Sequence, residues 1–291
     1  MNGNTQKKSL RADPFSLVMR VLVWGAALLT AGVLLALIAY ILIRGVPNLK
    51  LSLFELEYNS ENVSMFPSIV MTIYMTVLTL IITTPLGIGC AIYLTEYAKR
   101  GNKVVEVIRL AAETLSGIPS IVYGLVGMIV LVPLIQKTFS LSSGACLLAA
   151  IIVLAIMILP SIINVSETAL RAVPPEYEEA SLALGATAIE TDFRVILPAA
   201  RSGVATAVVL GVGRAIGEAM AIIMVAGNVA NMPGLFTSVR FLTTAIASEM
   251  SYAAYGSLQR DALFSVGLVL FLFILLINAA LRLLSERSAK A

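Results

Sequence analysis

Six apolar segments limit what this chain can fold into. Several of them exceed the roughly 20 residues that a helix needs to cross the hydrocarbon core of a bilayer. The six segments are residues 17–43, 67–94, 115–134, 146–163, 202–225 and 262–284. We therefore expect an all-α, polytopic membrane protein with six transmembrane helices.

The composition fits a membrane protein and removes several kinds of active site. Charged residues make up only 13% of the 291 residues, whereas soluble domains carry about 25%. The absence of histidine excludes histidine-based acid–base catalysis and histidine metal ligands. Cys90 and Cys146 lie in separate apolar segments and are interpreted as small core residues. No G-x-x-x-x-G-K-[ST] motif occurs, so we expect no enzyme activity, no bound cofactor and no nucleotide site on this chain.

The distribution of basic residues predicts the orientation in the membrane. Six spans place both termini on one side, and the positive-inside rule assigns the side richer in Lys and Arg to the cytoplasm. The richer side has Lys7, Lys8, Arg11, Arg20, Lys99, Arg100, Lys103, Arg109, Arg171, Arg194, Arg201, Arg282, Arg287 and Lys290, and the opposite side has Arg44, Lys50, Lys137, Arg240 and Arg260. Both termini are therefore expected in the cytoplasm.

Residues 174–198 form the longest clearly polar stretch, between the fourth and fifth apolar segments. Pro175 can occupy the first position of a helix, and the glutamates that follow it complement the helix dipole. Gly185 is expected to end this helix, since glycine readily adopts the left-handed conformation. A second short helix fits residues 188–196, and Pro198 is expected to close it. The stretch therefore predicts a helix–turn–helix on the cytoplasmic side.

The same stretch resembles the cytoplasmic EAA loop of permease subunits of ABC importers. That family pattern is E-A-A, three residues, G, nine residues and I-x-L-P. The matching positions are Glu179, Ala180, Ser181, Gly185, Val195, Leu197 and Pro198, with Ser181 in place of the second alanine and Val195 in place of isoleucine. The resemblance implies coupling helices that dock into a groove on a separate ATPase subunit. The alternative is an amphipathic interfacial hairpin that has no partner.

Two opposite charges lie in the middle of the fifth apolar segment. Arg214 and Glu218 are spaced four residues apart, which places them on one helix face, where they can pair. A charge at the bilayer centre costs about 2.5–3.5 kcal/mol on insertion scales, so both side chains should face the bundle interior or a water-filled cavity. They fit a translocation path for an anion and a neutralised pair that fixes helix packing equally well.

Several further segments resemble the permeases of phosphate-specific ABC importers, PstA and PstC. The matching segments are residues 85–101 and 113–127, which are more like PstA, residues 183–203, and residues 213–228 and 262–278, which are closer to PstC. The overall length and the short N-terminal region favour PstA. The resemblance implies the type I ABC importer permease fold, phosphate as the substrate and a path role for Arg214 and Glu218.

The resemblance also implies a set of partners and a division of the chain. The partners are a second six-span, PstC-like permease, two ATPase subunits that bind the ATP, and an extracytoplasmic phosphate-binding protein, in a bacterial or archaeal plasma membrane and without nucleic acid. The N-terminal tail, first helix and outer loop comprise residues 1–66, the permease core 67–284 and the tail 285–291. The rival functions are a permease for another oxyanion (molybdate, sulfate or phosphonate), an ion-gradient transporter and a membrane enzyme.

Two tyrosines near the end of the second apolar segment have a simpler interpretation. Tyr93 and Tyr97 precede a basic connection, and tyrosine is common at the membrane–water interface. Both are therefore interpreted as interfacial anchors. The connection at residues 227–260 is long for a simple turn and is expected to contain an outer-face helix or a re-entrant segment.

Overall fold

The computed structural model describes residues 14–59, 62–98, 102–232 and 234–290. Five basic residues used to assign the orientation, Lys7, Lys8, Arg11, Lys99 and Arg100, lie outside these ranges, as do residues 1–13 of the predicted tail. Within the described ranges the protein is helical and has no β-strand, and an isolated bridge joins Gly227 to Val239. The predicted all-α class is confirmed.

Thirteen α-helical segments follow one another in the described ranges. They are α1 (Pro14–Gly45), α2 (Phe66–Ile92), α3 (Lys103–Gly117), α4 (Ser120–Val126), α5 (Val132–Thr138), α6 (Leu147–Arg171), α7 (Pro175–Ala183), α8 (Ala188–Thr191), α9 (Leu197–Ala199), α10 (Arg201–Gly217), α11 (Met220–Val225), α12 (Leu242–Glu249) and α13 (Leu258–Lys290). Three π-helical turns, Tyr93–Tyr97, Gly127–Leu131 and Asp192–Ile196, extend α2, join α4 to α5 and join α8 to α9.

Among the residues that the structure describes, five continuous helices are long and apolar enough to cross a membrane. They are Phe15–Gly45, Phe66–Tyr97, Ser120–Thr138, Leu147–Arg171 and Leu258–Leu281. A sixth crossing is counted if the helical pair Ala188–Ala199 and Arg201–Gly217, which is bent by 72°, forms one span. The structure therefore supports up to six spans, as the apolar segments predict.

The third span begins later than expected. Residues 115–117 complete α3, and the chain then turns through Ile118 and Pro119, both of which have extended backbone angles. Proline disfavours a helical conformation in the residue that precedes it, which separates α3 from α4. The span therefore starts at Ser120 instead of residue 115.

Helix α6 lies at the centre of the bundle. Its buried residues pack against Met71 and Met75 of α2, Ala207 of α10 and Ile222 of α11 in one continuous apolar cluster. Leu154, Met157 and other α6 side chains in this cluster are fully buried. Because α6 contacts both α2 and α10, it positions α10, which carries the predicted path residue Arg214.

Helix α1 lies at the edge of the bundle and is joined to it near its C-terminal end. Gly45 approaches Leu268 so closely that an added Cβ would lie 2.8 Å from the Leu268 Cβ. The Ser265 hydroxyl of α13 donates to the Gly45 carbonyl over 3.1 Å, and Tyr40 makes an edge contact with Phe264. Most of the remaining apolar side chains of α1 are exposed in the isolated chain, as expected for a helix that faces lipid or another subunit.

Close packing at Gly124 gives a test of this bundle. A Cβ at Gly124 of α4 would lie 2.8 Å from the Cα of Ala221 in α11, and backbone atoms at that distance cannot move aside easily. We expect Gly124→Ala to destabilise the protein by about 1–3 kcal/mol, as overpacking does elsewhere. The measurement is the thermal unfolding midpoint of the detergent-solubilised protein.

Gly89→Ala is the matched control for this substitution. Gly89 is also helical, but a Cβ there would meet nothing within 4 Å. Alanine is the better helix former, so this variant should be as stable as the wild type or slightly more stable. Equal midpoints for Gly124→Ala and Gly89→Ala would contradict the packing of α11 against α4.

Candidate functional site

The fifth span is broken at one of the two predicted path residues. Helix α10 ends at Gly217, Glu218 adopts an extended conformation with φ −73° and ψ 126°, and α11 begins at Met220. The expectation of an unbroken helix over residues 202–225 is therefore wrong. The break turns Glu218 out of the helical register that would align it with Arg214.

Arg214 and Glu218 do not form the salt bridge that their spacing allows. Arg214 is half-buried in the last turn of α10, and its Nη1 donates to the Ser161 hydroxyl of α6 over 2.9 Å. Within the described residues this is its one side-chain hydrogen bond. A guanidinium has five N–H donors, so most of its capacity is available to another acceptor.

Glu218 instead holds the break together. Its carboxylate Oε1 accepts from the Ala221 backbone N–H over 3.1 Å, and its carbonyl accepts from the Thr243 hydroxyl over 3.0 Å. Thr243 lies in α12, and this helix confirms the expectation of a helical segment within residues 227–260. The length of that connection predicted the helix but not its contact with the broken backbone of the fifth span.

The polar stretch 174–198 forms the predicted helical hairpin. Helix α7 has Pro175 in its first turn, as expected, and the chain turns at Gly185 with φ +90°, in the left-handed region. The second helix begins with a capping box, in which Thr187 accepts from the Glu190 N–H and Glu190 accepts from the Thr187 N–H. These hydrogen bonds from Thr187 hold the pKa of the Glu190 carboxyl below its ordinary value.

Pro198 does not end the second helix. The Leu197 N–H donates to the Asp192 carbonyl five residues earlier, and this π-helical turn continues into α9 through Pro198 to Ala199. Helices that widen in this way accommodate a residue that lacks the usual hydrogen bond. The helix ends instead at Ala200, where the 72° bend into α10 begins.

The predicted coupling residues divide into two groups by exposure. Glu179, Ala180, Gly185 and Pro198 are exposed, whereas Val195 and Leu197 are half-buried. Leu197 packs with buried apolar residues from α2, α6 and α10. The first part of the motif is therefore accessible to a partner, and the last part joins the hairpin to the bundle.

Several large apolar side chains on the hairpin are exposed, and the sequence analysis did not single them out. Leu184, beside the turn, is 90% exposed. The others are Tyr177, Leu182, Ile189 and Phe193. A cluster of exposed apolar residues on an otherwise polar segment is typical of a protein interaction site.

A group of ionic contacts lies beside the hairpin, at the end of α6. Glu167 accepts from Arg109 of α3 over 2.7 Å and from Arg171 over 2.9 Å. Arg109 also donates to the Leu94 carbonyl at the end of α2 over 3.3 Å. These contacts tie α2, α3 and α6 together where the chain enters the hairpin, and none of them was predicted from the sequence.

Comparison with solved structures supports the expected fold. The chain superimposes with a TM-score of 0.62 on a bacterial alginate ABC transporter chain, with 16% identity over 94% of this chain and 97% of that one. It matches a chain of the MetNI methionine ABC transporter with a TM-score of 0.57 and 22% identity, over 77% and 94% of the two chains. The type I ABC importer permease fold is therefore confirmed.

Comparison with known sequences shows the family. Residues 83–290 match the family model described as "binding-protein-dependent transport system inner membrane component". The chain is 46% identical over 209 residues to the probable ABC transporter permease protein YqgH of Bacillus subtilis, covering 70% of this chain and 67% of that protein. It is 38% identical over 242 residues to the phosphate transport system permease protein PstC of Pasteurella multocida, covering 76% and 74%. The chain belongs to the family of binding-protein-dependent transport system inner membrane components.

Proposed function

We propose that this chain is a transmembrane permease subunit of an ATP-driven phosphate importer. The observation that carries the substrate is the 38% identity to PstC over about three quarters of both chains. The sequence favoured PstA on length, whereas the relatives with a named phosphate function are PstC proteins. We therefore propose a phosphate permease without assigning it to the PstA or the PstC type.

The helical hairpin is proposed as the site where ATP-driven movement enters the chain. Its exposed apolar residues around Leu184 supply area for a protein interface, and the turn at Gly185 presents them away from the bundle. The alternative, an amphipathic interfacial hairpin, would place these side chains in the membrane interface instead, and co-purification of the ATPase distinguishes the two. The proposed partner is an ATPase subunit, and one further copy of it would bind the second permease.

The proposed topology follows from this assignment. An ATPase is cytoplasmic, so the hairpin and both termini would lie on the cytoplasmic side, in agreement with the distribution of Lys and Arg. The connection that holds α12 would then face outward, toward an extracytoplasmic phosphate-binding protein. The chain would cross the plasma membrane several times, and a second six-span permease would complete the translocation path.

Arg214 is proposed to attract the anion within that path. Its guanidinium binds Ser161 and forms no salt bridge with Glu218, so several N–H donors remain for a phosphate oxygen. The neutralised-pair alternative requires a contact between the two charges. Glu218 would act differently, by holding the break in the fifth span while its charge limits how tightly the anion binds. No covalent step is required of this chain.

Affinity purification of the chain from its native membrane tests the assembly. We expect mass spectrometry to identify an ATPase, a second six-span permease and a phosphate-binding protein. Recovery of the chain alone, under conditions that preserve other membrane complexes, would contradict the importer and favour a gradient-driven transporter. A binding protein that selects another oxyanion would favour the molybdate, sulfate or phosphonate alternative.

Substitution of Gly185 tests the role of the hairpin. Valine strongly disfavours a φ of +90°, so Gly185→Val should distort the turn and reduce co-purification of the ATPase and ATP-driven uptake together. Asparagine tolerates positive φ better than other residues with a Cβ, so Gly185→Asn should retain more of both. An added Cβ at Gly185 would meet nothing within 4 Å, so neither variant should create a clash. Insertion into the membrane should therefore be the same as in the wild type. Undiminished uptake by Gly185→Val would contradict the docking role.

Substitution of Arg214 tests the path. Charge-assisted hydrogen bonds contribute about 1.5–3 kcal/mol, so Arg214→Ala should reduce phosphate uptake by about tenfold or more. Arg214→Lys keeps the charge and should retain part of the uptake. Complex assembly, measured by co-purification, should be unchanged in both variants. Loss of assembly in Arg214→Ala would instead support a packing role.

A further inference from the structure

In the part of the chain that the structure describes, one side-chain hydrogen bond joins the second helix of the hairpin to the transmembrane bundle. The Tyr97 hydroxyl, at the cytoplasmic end of the second span, donates to Asp192 Oδ2 over 2.7 Å. The two residues are 95 positions apart. Tyr97 was interpreted as an interfacial anchor, but the structure gives it a specific partner.

The geometry of this contact favours a strong hydrogen bond. Asp192 is only 4% exposed, and a distance of 2.7 Å is typical of a hydroxyl that donates to a carboxylate. Within the described residues, it is the one hydrogen bond between the segment 174–198 and a different membrane span. Apolar contacts of Ile196 and Leu197 form the rest of this junction.

Apolar contacts and a hydrogen bond constrain movement differently. Apolar side chains attract one another without a preferred direction and can slide past one another. A short O–H···O bond is directional and weakens steeply when the angle changes. The Tyr97–Asp192 pair is therefore the contact that fixes the rotation of the second hairpin helix relative to α2.

The two hairpin helices are also joined to each other. The hydroxyls of Ser181 in α7 and Thr191 in α8 are 2.8 Å apart, and Thr191 is 1% exposed. Thr191 directly precedes Asp192 in the sequence. A displacement of α7 therefore reaches Asp192 through a hydrogen-bonded contact, in addition to the turn at Gly185.

The other end of α2 contacts the segment that supports the path. Thr72 accepts from the Leu242 backbone N–H over 3.1 Å, at the start of α12. The next residue, Thr243, donates to the carbonyl of Glu218 in the broken fifth span. The second span thus connects the hairpin at one end with the support of the break at the other.

We propose that the Tyr97–Asp192 hydrogen bond is a positioning contact that transmits movement of the hairpin to the second span, and through it to the break at Glu218. This inference rests on the proposed function and goes beyond it, because it assigns the transmission to two named side chains.

The test compares two tyrosine-to-phenylalanine variants in the complete transporter. Tyr97→Phe removes the donating hydroxyl and keeps the ring. Tyr93→Phe makes the same change four residues earlier in the same π-helical turn, where the tyrosine is 39% exposed against 44% for Tyr97. Purified complexes are reconstituted in liposomes with the binding protein, and phosphate uptake and ATP hydrolysis are measured together.

We expect Tyr97→Phe to lower the phosphate taken up per ATP hydrolysed by about threefold or more, within the range known for coupling residues. Tyr93→Phe should match the wild type. The ATPase should co-purify equally, and the unfolding midpoint of the complex should not change. A structural role would instead lower the midpoint and the yield without changing the uptake per ATP.

Substitutions of Asp192 make the test specific to its hydrogen bond with Tyr97. Asp192→Asn keeps an oxygen acceptor and should retain most of the coupling, whereas Asp192→Ala should behave like Tyr97→Phe. The double variant Tyr97→Phe, Asp192→Ala should be no worse than either single variant, since both remove one interaction. Additive losses, or a wild-type uptake per ATP in Tyr97→Phe, would overturn the proposal.

The wild-type complex separates this proposal from the one on which it rests. Absence of ATP-driven phosphate uptake by the wild type would contradict the proposed function. Normal uptake by the wild type, with equal coupling in Tyr97→Phe and Tyr93→Phe, would leave the importer in place and refute the positioning contact alone.

Discussion

A backbone that leaves its helix inside a bilayer must find other hydrogen-bond partners, and this requirement governs the structure around the fifth span. The break between Gly217 and Met220 exposes peptide groups where water is scarce, so they need partners within the protein. The Glu218 carboxylate satisfies one N–H, and Thr243 satisfies the Glu218 carbonyl. The long connection before α13 therefore supplies a partner for the broken span through Thr243, in addition to linking two spans.

The same requirement explains why the two intramembrane charges have separate partners. Glu218 is committed to the backbone of α11, and Arg214 is held by Ser161 of α6. Each charge is positioned by a different neighbouring element, so a shift of α12 or α6 would move one relative to the other. That arrangement suits a path whose affinity for an anion changes during a transport cycle, which is the function proposed for it.

Local sequence rules predicted much of the helical hairpin. Pro175 favours the first turn of a helix and Gly185 tolerates a positive φ, and both properties belong to a single residue and its neighbours. Pro198 was predicted wrongly, because a π-helical turn upstream changes which N–H groups are needed. The apolar segments likewise predicted the spans, with the start of the third displaced to Ser120.

Contacts between distant residues account for what the sequence could not predict. Gly217 is a local signal for the end of a helix, but the partner of the Glu218 carbonyl, Thr243, lies 25 residues away in the sequence. The partner of Tyr97 is equally remote, and a tyrosine near a membrane edge is common enough to need no partner. The family resemblance gave Arg214 and Glu218 a role, but the helical spacing suggested a pair that the fold does not form.

Uptake of radiolabelled phosphate by proteoliposomes that contain the purified complex tests the central claim most directly. We predict uptake that requires both ATP and the phosphate-binding protein, that excess unlabelled phosphate abolishes, and that equal concentrations of sulfate or molybdate leave unchanged. Uptake without ATP, or uptake that sulfate or molybdate abolishes while phosphate does not, would contradict a phosphate importer.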